Sequence, residues 1–564
     1  MATLRTSACL TALASTLLAC QGAPAHSKPW RRDHTVGDDG GSAGAGGAAR
    51  RADSARKRSQ SLRIRLETEP SHLNPLVDPD VDTLRVAEDT IFESLLRFDP
   101  GPAIDAPGVL HPQLAESWRV LGGGTEIRVV VRDDVKFHDG QKLAVTDAQF
   151  SLDMARSAAV RAPRLREALA DVISVDLVGP RELRLSLRRP NAFILRALTE
   201  VPMLPEHVYG ASAAGSGRAP ALDRHPRNRA PIGTGPYRFD HWDKGTRIVL
   251  ARNDSYWGKP PAIEAIEFVI EPDASKALMR AKRGEIDVVP ALAPVHYPDQ
   301  ATAMAGEFLK LRLRPPRLRY VVLNLTRPPL DDVRVRQAIA LLVDRRKLTA
   351  ELGHGMARAV AGPVWPGGPG DGAALPTPAF DPAAAAGLLT AAGWIDSDGD
   401  GVRERAGTKL RVALLSGTDA RGDAERDLLV QGLRKAGFVV EVRSGDPAVL
   451  LNRLKSGDFE LAMIEWRARC DEDLGPLLGS NGARNWGRYA SGAMNAALQA
   501  ARETWDPAGR AARVAEIGRL LLSDWPIVPM YAADPIGLVH RRVRGLLVRD
   551  GWFAIRALSL EELP

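Results

Sequence analysis

The side chains that most often carry out catalysis or hold a metal ion are scattered along this chain of 564 residues. Its three cysteines form no Cys-x-x-Cys pair, and its eleven histidines lack the spacing of metal ligands. The phosphate-binding Gly-x-Gly-x-x-Gly and Gly-x-x-x-x-Gly-Lys-Ser/Thr loops are absent, as is the zinc-binding His-Glu-x-x-His pattern. We therefore predict that the protein is not an enzyme and requires no cofactor.

His138 is the one histidine whose position invites a catalytic interpretation. A histidine near neutral pH can exchange protons and so serve as a general acid or base. However, it stands directly before the turn-forming pair Asp139-Gly140, and no serine or cysteine motif accompanies it in the sequence. A structural role for His138 is therefore the favoured interpretation.

An Asp-rich segment resembles part of a calcium loop. Asp396, Asp398 and Asp400, followed by Gly401, match the first half of such a loop. The twelfth position is Gly407, where the loop needs a glutamate that binds the ion with both oxygens. A Gly/Asp turn is the favoured interpretation, and a calcium site is the alternative. We predict no other metal site.

Tryptophan gives a different kind of clue, because the chain holds 11 Trp and only 7 Tyr. Several of them stand at predicted strand ends or in loops, among them Trp365, Trp466 and Trp486. Aromatic side chains flanked by Asp and Arg can line a cleft for an amphiphilic ligand, although most tryptophans belong to a core. This pattern favours ligand binding over catalysis.

One strand, with the turn and helix that follow it, is the central element that would position such a cleft. Residues 321–325 are nearly all apolar, which predicts a strand buried on both faces, with the polar Asn324 inside it. Pro328 and Pro329 end that strand. Asp331 or Asp332 then caps a helix whose apolar residues recur at i, i+3, i+4, i+7 and i+8.

Strands and helices alternate along much of the chain. Strand patterns lie at 127–131, 409–415 and 438–442, and helix patterns at 423–436, 446–456 and 508–523. The fold class predicted from this alternation is α/β, with strand-rich first and last parts.

The N-terminal segment indicates a compartment. Arg5 precedes an uncharged, mainly apolar run at 7–19 that is too short to span a bilayer, and the run ends in Leu-Leu-Ala before Cys20. Residues 21–60 are rich in Gly, Ala and charge, as in a flexible tether. Residues 1–60 carry +5 of the net charge of +7, so the body is close to neutral and a nucleic-acid partner is disfavoured.

Seven segments together resemble one family, the extracytoplasmic solute-binding proteins of ABC importers of the peptide/nickel type (family 5). They follow the family's order from about residue 61 onward and are HPQLAESW, VKFHDGQKLAVTDAQFSLD, IGTGPYRF, LARNDSYWG, YVVLNLTRPPLDDVRVRQAIALLVDR, GWIDSDGDGVRE and WPIVPMY. The Leu-Leu-Ala-Cys segment likewise resembles the lipobox of bacterial lipoproteins, in which Cys20 carries the lipid.

The resemblance implies a two-lobed clamp of the type II periplasmic-binding-protein kind, with an inserted subdomain in lobe one. The chain crosses between the lobes near Asn324 and near residues 525–531. The expected divisions are a signal peptide (1–19), a lipid-anchored tether (20–60), lobe one (61–98, 202–320 and 526–564), the inserted subdomain (99–201) and lobe two (321–525).

The resemblance also implies a ligand-binding set in the cleft between the lobes. Relatives that bind peptides hold the ligand's amino group with an acid shortly after a Trp, and Arg469 stands at that position here, so that Asp471 or Asp473 would substitute. The implied ligand-binding residues are Asn74, Asn324, Trp466, Arg469, Asp471, Trp486 and Tyr531.

A peptide is the first expectation for the ligand. Oligosaccharides, nickel chelates and opines remain alternatives, as does an envelope sensor or scaffold that has lost transport. The resemblance further implies an ABC permease and ATPase as partners, a monomeric state, and a lipid-anchored location on the periplasmic or extracytoplasmic side of a bacterial membrane.

Overall fold

The computed structural model describes residues 60–99, 109–210, 221–293, 296–297, 299–312, 317–352, 356–362, 375–418, 420–467, 472–533, 535–546, 548–549, 552–553, 555 and 558–561. Cys20, Arg469 and Asp471 lie outside these residues. Within them, no helix has both the length and the apolar character needed to cross a bilayer.

A seven-stranded mixed sheet forms the first lobe. Its strands, in spatial order, are Phe308–Arg312, Ile536–His540, Val288–Val289, Ser61–Leu66, Ala265–Ile270, Arg247–Arg252 and Tyr237–Asp243. Ser61–Leu66 lies at the centre, parallel to Ala265–Ile270 on one side and to Val288 on the other. Because it is the first strand in the chain and sits between later ones, the lobe closes only after distant segments have come together.

A six-stranded sheet forms the second lobe. Its strands, in spatial order, are Ala357–Ala359, Ile527–Ala533, Arg317–Leu323, Leu461–Arg467, Arg411–Ser416 and Val439–Ser444. On the central strand, Val321 and Leu323 pack into one hydrophobic cluster while Tyr320 and Val322 pack into another. Successive side chains of a strand point to opposite faces, so both faces of this strand are buried, as its apolar run predicted.

A four-stranded antiparallel sheet lies between residues 115 and 187, within the range assigned to the inserted subdomain. Its strands, in spatial order, are Ala115–Leu121, Glu126–Val131, Glu182–Leu187 and Val172–Leu177. Four two-stranded pairings complete the strands of the described residues: Leu96–Asp99 with Val109–Pro112, Glu404–Arg405 with Thr408–Lys409, Val543–Arg544 with Ser559–Leu560, and Val548–Arg549 with Trp552–Phe553.

Several helices begin at a side-chain cap that the sequence supplies. Asp332 accepts a hydrogen bond from the backbone N–H of Arg334, and Asp446 and Asp506 cap two later helices in the same way. The described α-helices are Val81–Ala87, Val145–Arg156, Pro163–Ala168, Ile194–Ala197, Glu206–Tyr209, Ala274–Lys282, Asp299–Ala303, Val333–Leu341, Arg345–Lys347, Pro382–Ala391, Ala420–Lys435, Pro447–Ser456, Gly475–Leu478, Gly492–Glu503 and Pro507–Asp524. Short 3-10 and π turns lie at Gly122–Gly124, Leu222–Arg224, Pro226–Asn228 and Leu348–Leu352.

The pairing of strands in the two sheets places the C-terminal boundary between the lobes at a different residue from the one predicted from the sequence. The sequence assigned all of 526–564 to lobe one, but Ile527–Ala533 pairs with Arg317–Leu323 in the second-lobe sheet. The next strand, Ile536–His540, pairs with a strand of the first-lobe sheet. The chain therefore passes between the lobes after residue 533. Both strands are mainly apolar, and only their hydrogen-bonded partners reveal which sheet each one joins.

The predicted boundary between lobe one and lobe two at residues 320 and 321 also differs from the observed one. The sequence ended lobe one at residue 320 and expected the crossing near Asn324, whereas Arg317–Leu323 belongs entirely to the second-lobe sheet. The preceding strand, Phe308–Arg312, belongs to the first-lobe sheet. The strands that flank this crossing are therefore Phe308–Arg312 in the first lobe and Arg317–Leu323 in the second. Asn324 directly follows a central strand of the second lobe, so it lies away from this crossing between the lobes.

Candidate functional site

A cavity of about 560 Å³ lies where the first lobe, the subdomain and the second lobe meet. Phe92 and Pro290 line it from the first lobe, Phe193 from the subdomain, and Tyr320 and Trp466 from the second-lobe sheet. Cavities of roughly 300–1,000 Å³ that combine apolar walls with a few polar groups are the usual form of small-molecule sites. This cavity is therefore the candidate functional site.

The second-lobe wall is built on two neighbouring antiparallel strands. Leu318 pairs with Trp466, and two residues farther along Tyr320 pairs with Ile464. Side chains two apart on a strand share a face, so Tyr320, Ile464 and Trp466 present one surface to the cavity. The Tyr320 and Trp466 rings lie 6.5 Å apart, and burial raises the pKa of the Tyr320 hydroxyl. This wall offers flat apolar area with one neutral hydroxyl.

Arg484 stands at the edge of that aromatic wall. Its guanidinium lies 4.6 Å from the centre of the Trp466 ring, a cation–π arrangement that orients the side chain. The same guanidinium is 3.8 Å from Glu472 of its own lobe and 3.8 Å from Glu167 in the subdomain helix Pro163–Ala168. Arg484 therefore faces acidic groups from both sides of the cavity.

The charges around the cavity nearly balance. The lining includes six arginines and seven carboxylates, so the site suits a ligand that carries both signs of charge. Burial, reinforced by nearby Asp473, raises the pKa of Glu167. Burial lowers the pKa of Arg164, which forms an ion pair with Glu200 at the subdomain side. The Glu167 side chain is 25% exposed, so its carboxylate is only partly shielded from water.

Two of the residues implied by the sequence lie in the cavity wall, namely Trp466 and Trp486. Arg469 and Asp471 are outside the described residues, so the expected replacement of an acid by Arg469 remains a prediction. Asp473, the other acid considered, also lines the cavity. Arg502 binds its carboxylate through two nitrogens, at 2.8 and 3.0 Å, which commits Asp473 to an internal ion pair.

Asn74 and Tyr531 are held by structural partners away from the cavity lining. Asn74 is fully buried, and its amide donates to the side chain of Asn228 at 2.9 Å. The Tyr531 hydroxyl donates to buried Glu425, which also pairs with Arg319 at 2.6 Å. A ligand role for either residue stays a prediction that these contacts do not favour.

Asn324 is likewise satisfied by the protein. It is 1% exposed, and its amide donates to the carbonyls of Gly457 and Phe459 at 3.2 and 3.0 Å. Its side-chain oxygen accepts from the Thr326 hydroxyl at 2.8 Å. These bonds join the end of the central strand to the residues that lead into the neighbouring strand Leu461–Arg467, so protein groups satisfy the Asn324 amide.

Sequence reasoning missed the charged residues that face each other across the cavity, above all Glu167, Arg164 and Arg484. In the sequence they are ordinary charged positions with no motif around them. Arg484 had one usable signal, because it lies two residues before Trp486, which was selected as a cleft aromatic. Nothing local marks Glu167, whose role depends on how the subdomain meets the second lobe.

The Asp-rich segment forms a turn in which its carboxylates accept backbone N–H groups. Asp396 accepts from Gly399 and Gly401 at 2.8 and 3.0 Å. Lys409 donates to Asp400 at 2.5 Å and lowers the pKa of that carboxyl. Asp396, Asp398 and Glu404 lie close together; the two aspartates are exposed and Glu404 is partly buried. These bonds account for the Asp/Gly pattern as a turn.

His138 has the structural surroundings that the sequence favoured. The backbone N–H of Gly233 donates to its Nδ1 at 3.3 Å, so Nε2 carries the hydrogen and donates to the carbonyl of Gly235 at 3.0 Å. Burial lowers the pKa of His138 to about 4. A neutral ring therefore ties the Asp139-Gly140 turn to the IGTGPYRF segment.

Comparison with known proteins agrees with this architecture. Residues 109–488 match the model of bacterial extracellular solute-binding proteins, family 5 middle. Protein XP55 of Streptomyces lividans is 29% identical over 491 residues, which cover 84% of this chain and 83% of that protein. The oligopeptide-binding protein AppA of Bacillus subtilis is 27% identical over 405 residues, which cover 68% of this chain and 72% of AppA.

A solved structure with the same fold is that of NikA from Brucella suis in complex with Fe(III)-EDTA. It aligns with a TM-score of 0.75 and 23% sequence identity, covering 89% of this chain and all of that one. The two-lobed clamp expected from the sequence is thereby confirmed. Since the family model spans more than half of its length, the chain belongs to family 5 of the bacterial extracellular solute-binding proteins.

Proposed function

We propose that this protein is the solute receptor of an ABC importer and binds a peptide or a peptide-like solute in the cavity between its lobes. The two crossings between the sheets allow the lobes to move as rigid bodies, and a ligand that contacts both lobes stabilises their closed arrangement. The closed form would then deliver the solute to a membrane permease driven by an ATPase. The role requires selective binding, and we expect no catalysis.

The observation that carries this proposal is the composition of the cavity wall. Aromatic side chains on the second lobe face arginines and carboxylates from both sides, with nearly balanced charge. A short peptide offers matching features, since it has apolar side chains, a planar backbone and charged groups of both signs. The similarity to the oligopeptide-binding protein AppA points the same way.

Native mass spectrometry of protein purified without refolding tests the ligand class. We expect a co-purified mass that fragments into amino acids. Isothermal titration with Ala-Ala-Ala, with its N-acetyl form and with its C-terminal amide would then show which terminus the site requires. A co-purified sugar or metal complex, together with no heat from any peptide, would replace the peptide by that solute.

A metal chelate is the alternative with a specific observation behind it, because a structure with the same fold holds Fe(III)-EDTA. Arginines around the cavity could bind the carboxylates of such a chelate. No histidine occurs among the described lining residues, so the chelator would have to supply the metal's ligands. An opine or an oligosaccharide remains a further alternative for the same cavity.

The anchoring proposal rests on the sequence alone. We expect cleavage before Cys20 and attachment of lipid to its thiol, with residues 21–60 as the tether to the folded body. Labelling cells with a radioactive fatty acid should mark the wild type, and Cys20→Ser should abolish the label and release the protein into the soluble envelope fraction. A label that survives this substitution would contradict the anchor.

A role as an envelope sensor or scaffold would be favoured by a protein that is anchored but binds no solute.

A further inference from the structure

Trp505 belongs to the second lobe but packs against residues outside that lobe. It lies in the short connection between the helices Gly492–Glu503 and Pro507–Asp524. The inner faces of both helices pack into a cluster of the second lobe. Trp505 itself packs against the cluster that the first lobe shares with the subdomain. Its indole therefore connects two bodies that are otherwise built around separate sheets.

The receiving surface is a turn of three glycines in the subdomain. Gly122, Gly123 and Gly124 join two strands of the four-stranded sheet, and all three have positive φ, at 57°, 63° and 96°. A Cβ built on Gly124 would lie 2.7 Å from Trp505 Nε1 and 3.1 Å from the Cβ of Pro190. A Cβ on Gly123 would meet nothing within 4 Å. The indole therefore fits a notch between Gly124 and Pro190 that only a glycine leaves open.

Further contacts connect this notch to the cavity wall. The backbone N–H of Ala192 donates to the carbonyl of Arg502 at 2.8 Å, joining the subdomain to the second lobe. Arg510 donates to the carbonyl of Trp505 at 3.1 Å, and its guanidinium lies 5.5 Å from the centre of the Phe193 ring. Phe193 lines the cavity. The notch is therefore linked to the ligand site through only two residues, Arg510 and Phe193.

We propose that the insertion of Trp505 into the Gly124–Pro190 notch holds the subdomain against the second lobe and so retains a bound solute. Trp505 acts as a positioning residue, since it fixes the wall that carries Phe193 without lining the cavity itself. Retention of a solute rests on the proposed function, whereas the contact between the two bodies does not.

The chemistry of the contact suits a reversible latch. The indole supplies a large apolar area. Its Nε1 is buried and has no hydrogen-bond partner among the described residues, and a buried donor without an acceptor weakens the packed state. The contact is thus favourable through shape while remaining easier to open than a fully bonded one.

Two readouts on the full chain test the latch. The first is amide hydrogen exchange of Ala192 without ligand, because that N–H is bonded across the contact. The second is the dissociation rate of Ala-Ala-Ala by stopped flow. In Trp505→Ala we expect exchange at Ala192 and dissociation to be at least fivefold faster, while the association rate changes less than twofold.

Glycine variants provide a matched comparison that leaves Trp505 in place. Gly124→Ala and Gly123→Ala both add a methyl group at a positive φ, but only the first meets the indole. We expect Gly124→Ala to reproduce the effects of Trp505→Ala and Gly123→Ala to resemble the wild type. In the double variant Gly124→Ala/Trp505→Ala, the added methyl still meets Pro190, so we expect it to add less than half of the effect that it has when Trp505 is present.

Equal exchange at Ala192 in Gly124→Ala and Gly123→Ala would overturn the latch, as would additive effects in the double variant. If Ala-Ala-Ala does not bind even the wild type, the peptide assignment fails. The exchange comparison still decides the latch in that case, because it needs no ligand.

Discussion

The hydroxyl of Tyr256 donates to the carboxylate of Glu93 at 2.6 Å in the interior of the protein. Trp257 Nε1 and Thr234 Oγ1 donate to the other oxygen of the same carboxylate at 2.8 and 3.0 Å. Burial raises the pKa of Glu93 in spite of these bonds. Two of the segments that suggested the family, IGTGPYRF and LARNDSYWG, thus meet at one buried carboxylate, which gives both a structural explanation.

Glu93→Leu should be strongly destabilising, because it removes the acceptor of the Tyr256, Trp257 and Thr234 donors and that of the Gln113 amide at 3.3 Å. We expect a loss of about 2–4 kcal/mol in the free energy of unfolding, measured by urea denaturation. Glu69→Leu is the matched control, since Glu69 accepts an indole N–H from Trp242 at 2.9 Å but is only partly buried. A loss below about 1 kcal/mol is expected there. Equal losses in the two variants would contradict the role of the Glu93 cluster.

His138 should make stability depend on pH. Its pKa is about 4 in the folded protein and about 6.5 when unfolded, so the unfolded state takes up the proton first as the pH falls. Stability is therefore lost between pH 6.5 and about 4, by at most about 3 kcal/mol, and this contribution levels off below pH 4. Melting temperatures across this range should fall less steeply in His138→Gln than in the wild type. Parallel curves would rule the contribution out.

Local features of the fold were predictable from the sequence. The helix cap at Asp332 and the burial of residues 321–323 on both faces follow from residue type and spacing over a few positions, and both are present. Such features depend on neighbouring residues alone, so one chain segment contains the necessary information. The family resemblance extended this to the two-lobed architecture.

The cavity wall was less predictable because it depends on distant segments. Trp466 and Trp486 were selected as aromatic residues near predicted strand ends, and both line the cavity. Glu167 and Arg484 are 317 positions apart and meet only through packing of the subdomain on the second lobe. Asn74 and Tyr531 show a limit of such reasoning, since the sequence around a polar side chain cannot reveal whether a protein group or a ligand satisfies it.

Arg345→Lys should destabilise the second lobe. Arg345 is buried and donates through Nε and a terminal nitrogen to the carbonyl of Pro529, at 2.9 and 2.6 Å, and also to the carbonyl of Ala340. Burial lowers its pKa to about 10. A lysine cannot reproduce this fork of donors, so we expect a loss of about 2–4 kcal/mol in urea unfolding. The exposed neighbour provides the control, and Arg346→Lys should stay within about 0.5 kcal/mol of wild type.

Asn324→Leu should affect stability more than ligand affinity, the reverse of what a position in the cleft would imply. The substitution leaves the carbonyls of Gly457 and Phe459 without their donor, at an expected cost of about 2–3 kcal/mol in urea unfolding. Titration of the folded variant with Ala-Ala-Ala should give a Kd within about threefold of wild type. A large loss of affinity with unchanged stability would restore Asn324 to the ligand site.

Trp486→Ala should weaken ligand binding with little effect on the fold. Trp486 lines the cavity and is only half-buried, so its removal takes contact area from a bound solute while the surrounding core stays packed. An aromatic contact of this kind contributes about 2 kcal/mol, which corresponds to a roughly 30-fold higher Kd for Ala-Ala-Ala by titration calorimetry. Trp118→Ala is the control, because Trp118 is also half-buried but lies on the subdomain strand Ala115–Leu121, outside the cavity lining. A similar loss of affinity in both variants would mean that Trp486 acts through the fold and makes no direct contact with the solute.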